Sequence, residues 1–191
     1  MNEERGDFIS TYTGRKFYPC DPRPEELDIA DIAHALSNIC RFTGHLREFY
    51  SVAEHSVRVM RCVKREFSFS GETPSRQLML TALMHDASEA YLCDMARPVK
   101  HHPMMAGYRD AESKLEQVIA KRFGLIYPLP ETVRIADEIL LITEARDLHP
   151  GWGPEWPGWK QRGIALDGQI SPLSPNRAKV EFLFEFAELN K

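Results

Sequence analysis

The sequence predicts an all-α domain of about six helices behind a short extended or hairpin arm. Three observations carry that expectation. Apolar residues recur at three- and four-residue steps along most of the chain, the spacing that lines one face of an α-helix. Acids, Ser, Pro and Gly stand at the edges of those stretches, as helix caps and stops do. Strand-like mixtures of β-branched and aromatic residues are confined to the N-terminal arm.

The elements follow in order. Residues 7–24, DFISTYTGRKFYPCDPRP, hold a Thr-Gly turn and then prolines, which reads as the arm. After Pro24, a stripe of Leu27, Ile29, Ile32, Ala33, Leu36 and Ile39 marks the first helix. Glu25, Glu26 and Asp28 load its first turn with the negative charge that a helix dipole favours. A second helix starts near Ser51, with Glu54 three residues on in a capping-box arrangement, and carries Val52, Val59, Met60 and Val63. FSFSGETPS interrupts the pattern. Pro74-Ser75 then opens a third helix, expected to run on through LMHDASEAYLCD. Pro98 and Pro103 bracket a loop, Tyr108–Phe123 is a fourth helix stopped by Gly124, and Glu131–Leu148 is a fifth. HPGWGPEWPGW reads as a loop or lid anchored by its aromatics, and Asn176–Leu189 as the last helix.

Bulk properties bound the function. The 191 residues suit one domain spanning 1–191, and 43% hydrophobic with 27% charged residues is the balance of a soluble globular protein. A net charge of -4 argues against a nucleic-acid polymer as partner, while leaving room for a local basic pocket. No apolar run reaches membrane-spanning length, and MNEERGDFIS is charged where a secretory leader would be apolar, so a cytoplasmic location is expected. Cys20, Cys40, Cys62 and Cys93 are scattered without a Cys-x-x-Cys pair, which suggests reduced thiols rather than a disulfide framework or a zinc knuckle.

The chemistry centres on His85 and Asp86, which directly follow the apolar run LMLTALM. Charged groups in such a setting need a partner or an ion. His55, in SVAEHSVRVM, and Asp137, in VRIADEILLI, are similarly embedded, so three helices each offer a nitrogen or carboxylate. A lone histidine on an apolar face is ordinarily a satisfied core residue; the four together point to a metal. Imidazole with carboxylate suits manganese, iron, cobalt, nickel or zinc better than calcium. Four protein ligands on an octahedral ion would leave positions open for water and a substrate oxygen.

The order His…His-Asp…Asp resembles the signature of the HD-domain phosphohydrolase superfamily. HDASEAYLCDMARPVK resembles the corresponding region of bacterial 5′-deoxynucleotidases, in which an acid one turn after the His-Asp pair and another five residues further belong to the active site. Those positions are Glu89 and Asp94 here. LSNICRFTGHLREFYSVAEHS resembles a group of phage- and prophage-borne HD proteins, some of which hydrolyse deoxynucleoside triphosphates. The resemblance spans roughly residues 10–150. It implies an HD-domain helical bundle, dependence on a divalent metal ion (magnesium joins the candidates above), and hydrolysis of small deoxynucleotides, with mono- or triphosphate substrate left open.

On this reading His55, His85, Asp86 and Asp137 hold the metal. Glu89 orients or deprotonates the attacking water, and Asp94 serves as a second acid/base or binds a sugar hydroxyl. Arg41 has the forked donors that fit a phosphate. Lys100, Arg134 and His45 are further candidate donors, and Phe42 a wall against sugar or base. His101 and His102 read as loop residues. Competing readings are a cyclic-dinucleotide or alarmone phosphodiesterase, a nucleotide sensor on a retired scaffold, and a two-iron oxygenase that would need those two histidines. Phe182, Phe184 and Phe186 of the last helix are compatible with a homo-oligomer and equally with packing onto the core.

Overall fold

A computed structural model describes residues 5–69 and 71–191. The arm is a hairpin: β1 (Ile9–Ser10) pairs antiparallel with β2 (Lys16–Phe17) across a turn in which Gly14 has φ 81°. The hairpin docks because its turn is bonded to a buried acid. Thr13 donates its N–H and its hydroxyl to the Asp31 carboxylate, at 2.6 and 2.9 Å. Phe17 is fully buried and stacks on Tyr91 at 3.9 Å.

Helix α1 (Ile29–Asn38) is capped by the Asp28 side chain, which accepts from the Ala30 N–H. Helix α2 (Val52–Phe69) begins with Ser51 Oγ accepting from the Glu54 N–H at 3.2 Å. The return half of a capping box is absent. The Glu54 carboxylate instead accepts from Arg58 and from the Leu173 N–H, fastening the segment before the last helix across α2.

Helix α3 (Arg76–Leu83) departs from expectation by stopping before His85. Met84 leaves helical geometry at φ -108°, ψ 14°, residues 84–88 form successive turns, and a single-turn helix α4 (Glu89–Leu92) follows. The stretch expected as a Pro98–Pro103 loop contains helix α5 (Arg97–Lys100), with Pro98 in its first turn, where a missing N–H leaves no bond unmade. A 3₁₀ turn over Pro103–Met105 leads into α6 (Ala106–Phe123), which starts two residues earlier than expected and stops at Gly124 with φ 67°. Helices α7 (Glu131–Leu148) and α8 (Pro175–Leu189) complete the bundle.

The result is an all-α bundle. Helix α2 lies at its centre, packed against α1, α3, α7 and α8. It buries Val52, Val57, Val59, Met60 and Val63, each contributing about 1.5–3 kcal/mol for the large apolar side chains. Phe182 and Phe186 of α8 join this core, while Phe184 points outward at 62% exposure. The two readings of those phenylalanines therefore divide by residue. Among the described residues no helix is long and apolar enough to cross a membrane.

Candidate active site

The break after α3 resolves a geometric difficulty. Neighbouring residues on a regular helix project about 100° apart, so His85 and Asp86 could not both face one small target. On the turn they do. His85 Nε2 lies 3.2 Å from Asp86 Oδ2, and His55 Nε2, from α2, lies 3.5 Å from the same oxygen. Asp137, from α7, brings Oδ1 to 3.2 Å from His55 Nε2. His55, His85 and Asp86 each offer a ligand atom, all within 4.8 Å of one another, and Asp137 meets the group through His55.

The far nitrogen of each ring decides what the near one can do. His55 Nδ1 is 2.6 Å from Glu144 Oε1, and His85 Nδ1 is 2.9 Å from the Ala82 carbonyl. A carboxylate or carbonyl oxygen only accepts, so both Nδ1 atoms carry hydrogen and both Nε2 atoms present lone pairs. These Nε2 atoms are buried without a hydrogen-bond partner and face carboxylate oxygens. Lone pairs turned toward anions call for a cation between them. Metal–ligand bonds of about 2.0–2.2 Å place neighbouring donors about 3–4 Å apart, which the observed spacing admits. A proton at His55 Nε2 answers the same demand. Burial and Arg41 oppose a charge on His55, but Glu144 and Asp137 outweigh them and raise its pKa to about 9. Asp86 and Asp137 are both held below the usual carboxylate range: burial opposes this, and the neighbouring histidines prevail.

Glu144 is the functional residue that sequence reasoning missed. It is fully buried and accepts from Arg41 Nε at 3.1 Å and the Tyr50 hydroxyl at 2.8 Å, besides His55. It stands seven residues, about two turns, after Asp137 and so on the same face of α7. An acid within the apolar run ILLITEA was the available signal.

Arg41 is 9% exposed and spans the site, with Nη1 3.6 Å from Asp86 Oδ2. A two-residue bridge holds its backbone: the Arg41 N–H donates to Tyr50 O and the Val52 N–H to Ile39 O. Beyond it Phe42 and Thr43 both have φ 54°, a left-handed conformation costing non-glycine residues about 1–2 kcal/mol each. This turn sets the Phe42 ring 5.7 Å from the Arg41 guanidinium carbon. His45 ends the turn, exposed, its N–H donating to Phe42 O.

Glu89 and Asp94 lie near Asp86 and Arg41. Glu89 is 8% exposed, its Oε2 buried and without a partner. Burial, then Asp86 and Asp94, push its carboxyl well above the ordinary range. Asp94, half-buried, is also raised, by burial and Asp86 against the pull of Arg41. Of the two cations that sequence reasoning set beside Arg41, Lys100 stays near the acids and Arg134 is held elsewhere. Lys100 Nζ is held at 2.7 Å by the buried Glu112, another acid the sequence reading passed over. Arg134 is exposed, its donors on Leu129 O and Glu131 rather than on the cluster. His101 and His102 are exposed, and His102 accepts from the Met104 N–H as a cap. Trp152, Trp156 and Trp159 form a half-buried aromatic group after α7.

Imidazoles and carboxylates drawn from α2, the α3–α4 turn and α7 into one partly buried cluster define an HD-type helical domain. Residues 28–147 match the family model described as 5′-deoxynucleotidase YfbR-like, and the chain belongs to that family. It is 38% identical over 184 residues to YfdR of Escherichia coli (strain K12), covering 96% of both chains. It is also 35% identical over 142 residues to a Rhodobacter capsulatus protein, covering 71% of this chain and 70% of the other. Both relatives are described as uncharacterized.

Proposed function

We propose that the protein is a divalent-metal-dependent phosphohydrolase that removes the phosphate from free deoxynucleoside monophosphates. The observation that carries this is the pair of buried Nε2 lone pairs facing Asp86, each aimed by an acceptor behind its ring. His55, His85, Asp86 and Asp137 would hold the ion. When bound, such an ion supplies an acidified water and polarises a phosphoryl oxygen. Manganese, cobalt, iron, nickel, zinc or magnesium would each be compatible with two imidazoles and two carboxylates.

The remaining steps belong to the chain's own side chains. Arg41, gripped at Nε by Glu144, keeps its Nη atoms for the phosphate oxygens, whose geometry a guanidinium matches. Glu89 lies one tight turn from Asp86, its N–H donating to the Asp86 carbonyl at 3.0 Å. Its elevated pKa suits it to hold a proton at Oε2 and exchange it with the attacking water or the leaving 5′-oxygen. Asp94 would take a sugar hydroxyl or share that proton. Preference for a monophosphate fits a site with one guanidinium, Arg41, directed at the cluster, since Arg134 is held on Leu129 and Glu131; Lys100, though paired with Glu112, adds a charge that reaches Glu89 and Asp94. The family description, 5′-deoxynucleotidase, points the same way.

The test is phosphate release from the mono- and triphosphates of all four deoxynucleosides and their ribose counterparts, with manganese, cobalt and magnesium, and with Asp86→Ala in parallel. Free phosphate from deoxynucleoside monophosphates is expected. Tripolyphosphate plus nucleoside would move the assignment to triphosphate hydrolysis. Activity no higher than the Asp86→Ala background with every metal and substrate would remove the hydrolase reading.

A further inference from the structure

The chain has three tryptophans, and all lie between positions 152 and 159. Trp152 sits 5.2 Å from Trp156 and 5.1 Å from Trp159, ring centre to ring centre. Trp156 lies over Gly158 so closely that a β-carbon there would come within 2.0 Å of Cζ3 and 2.6 Å of Ile142 Cδ1 on α7. The far end of the segment is tied down as well. The Leu166 N–H donates to Thr143 Oγ1 and the Ile170 N–H to Asp147 Oδ2, both on α7. The close approach of Gly158 to Ile142 and these two bonds thus hold a flap, residues 149–164, against the helix that carries Asp137 and Glu144.

His149 opens this flap, its ring 6.4 Å from Trp156 and 6.0 Å from Phe42. Its Nδ1 accepts from the Gly151 N–H at 3.0 Å, which puts the hydrogen of the neutral ring on Nε2. Burial, with His45 and Arg47 nearby, lowers its pKa and keeps it neutral. No protein acceptor meets that Nε2–H among the described residues. A continuous order results: Asp86, Arg41, Phe42, His149, Trp156. A nucleotide is laid out in the same order, anion, sugar, then aromatic base. The left-handed turn at Phe42–Thr43 connects the anion-binding end to the rings.

We infer that His149 is a specificity-determining residue that receives the nucleobase, the face of its neutral ring packing on the base. The inference rests on the nucleotide reading of the site. It concerns His149 and Trp156, which lie beyond residues 28–147, the part that the family model matches.

Because all three tryptophans lie in the flap, intrinsic tryptophan fluorescence of the full-length protein reports on it alone. The metal-loaded protein is mixed rapidly with deoxyadenosine 5′-monophosphate and, separately, with 2-deoxyribose 5-phosphate, which lacks the base, over a range of concentrations, and the emission is read before turnover. The nucleotide is expected to quench the emission and bind about tenfold tighter, in line with one stacked base. His149→Ala should bring the two affinities within about twofold while leaving that for the sugar phosphate unchanged. The unliganded emission maximum of the variant checks that the flap stays packed. An unchanged affinity ratio in His149→Ala overturns the inference, as does equal binding of the two ligands by the unaltered protein. Base-dependent quenching without phosphate release would remove the hydrolase reading and leave the base site standing. Phosphate release with equal KM for nucleotide and sugar phosphate would do the reverse.

Discussion

The metal cradle and the aromatic flap flank Arg41 and are built by opposite means. In the cradle, polar atoms sit on or beside regular helices, and hydrogen bonds set their directions: Glu144 aims His55, and the Ala82 carbonyl aims His85. In the flap the backbone runs through turns rich in Pro and Gly into a 3₁₀ segment (Trp159–Ile164), and volume sets the directions, with Gly158 pressed against both Trp156 and Ile142. A region positioned by hydrogen bonds is sensitive to single atoms even when shape is kept. A region positioned by packing tolerates changes of polarity and resists changes of size. Substitutions chosen on each side of Arg41 expose that contrast.

The deepest effect is expected within the cradle's chemistry. Glu89→Gln keeps the side chain's shape and removes the proton that the carboxyl exchanges. Turnover should fall about 10²–10⁴-fold, the usual contribution of a general acid–base group. Bound metal, counted by elemental analysis, should stay at the unaltered level. Loss of metal along with activity would make Glu89 a ligand instead. An activity change below tenfold would pass the acid–base role to Asp94.

Glu144→Gln comes next. The amide fills the same space but removes the charge that Arg41, Tyr50 and His55 share. Metal affinity should drop about 10–100-fold, as it does when the group behind a ligating histidine is altered. Titration with cobalt, followed by its visible absorption, measures this directly. A variant that binds cobalt as tightly as the unaltered protein would show that His55 is oriented by packing after all, and the contrast between the two regions would lose its basis.

How these residues read in the sequence follows the same division. The spacing of apolar positions located α1, α2, α6, α7 and α8 because a helix face buried on a core leaves a regular signature. It failed at His85, where apolar residues continue on both sides in LMHDASEAYL, and the break serves the demand that adjacent residues face one cluster. Tertiary demands of that kind leave no local trace. His55, His85, Asp86 and Asp137 stood out as polar residues in apolar surroundings. Glu144 carried the same signal, an acid within ILLITEA, and was passed over; Glu112 carried none, because an acid on a helix is normally part of its solvated face and only burial distinguishes the exception. Arg134 shows the converse: one turn before Asp137 in sequence, it faces solvent in the fold. The left-handed backbone at Phe42 and Thr43 was invisible for a related reason, since neither residue type announces it.

The smallest expected effect belongs to the flap, and it tests the contrast from the other side. Gly158→Ala adds one methyl where Trp156 Cζ3 and Ile142 Cδ1 leave no space. The indole is rigid and Ile142 is buried within α7, so relief must come from lifting the flap. Overpacking of this kind costs about 1–3 kcal/mol. Because the strain can be released locally, most of it should appear as a red-shifted tryptophan emission rather than as a lower Tm. Cobalt affinity should remain as in the unaltered protein, since no cradle hydrogen bond passes through residues 149–164. A weakened metal site in Gly158→Ala would mean that the packing of α7 against the flap also positions Asp137 and Glu144, so that both sides of Arg41 respond to volume as one unit.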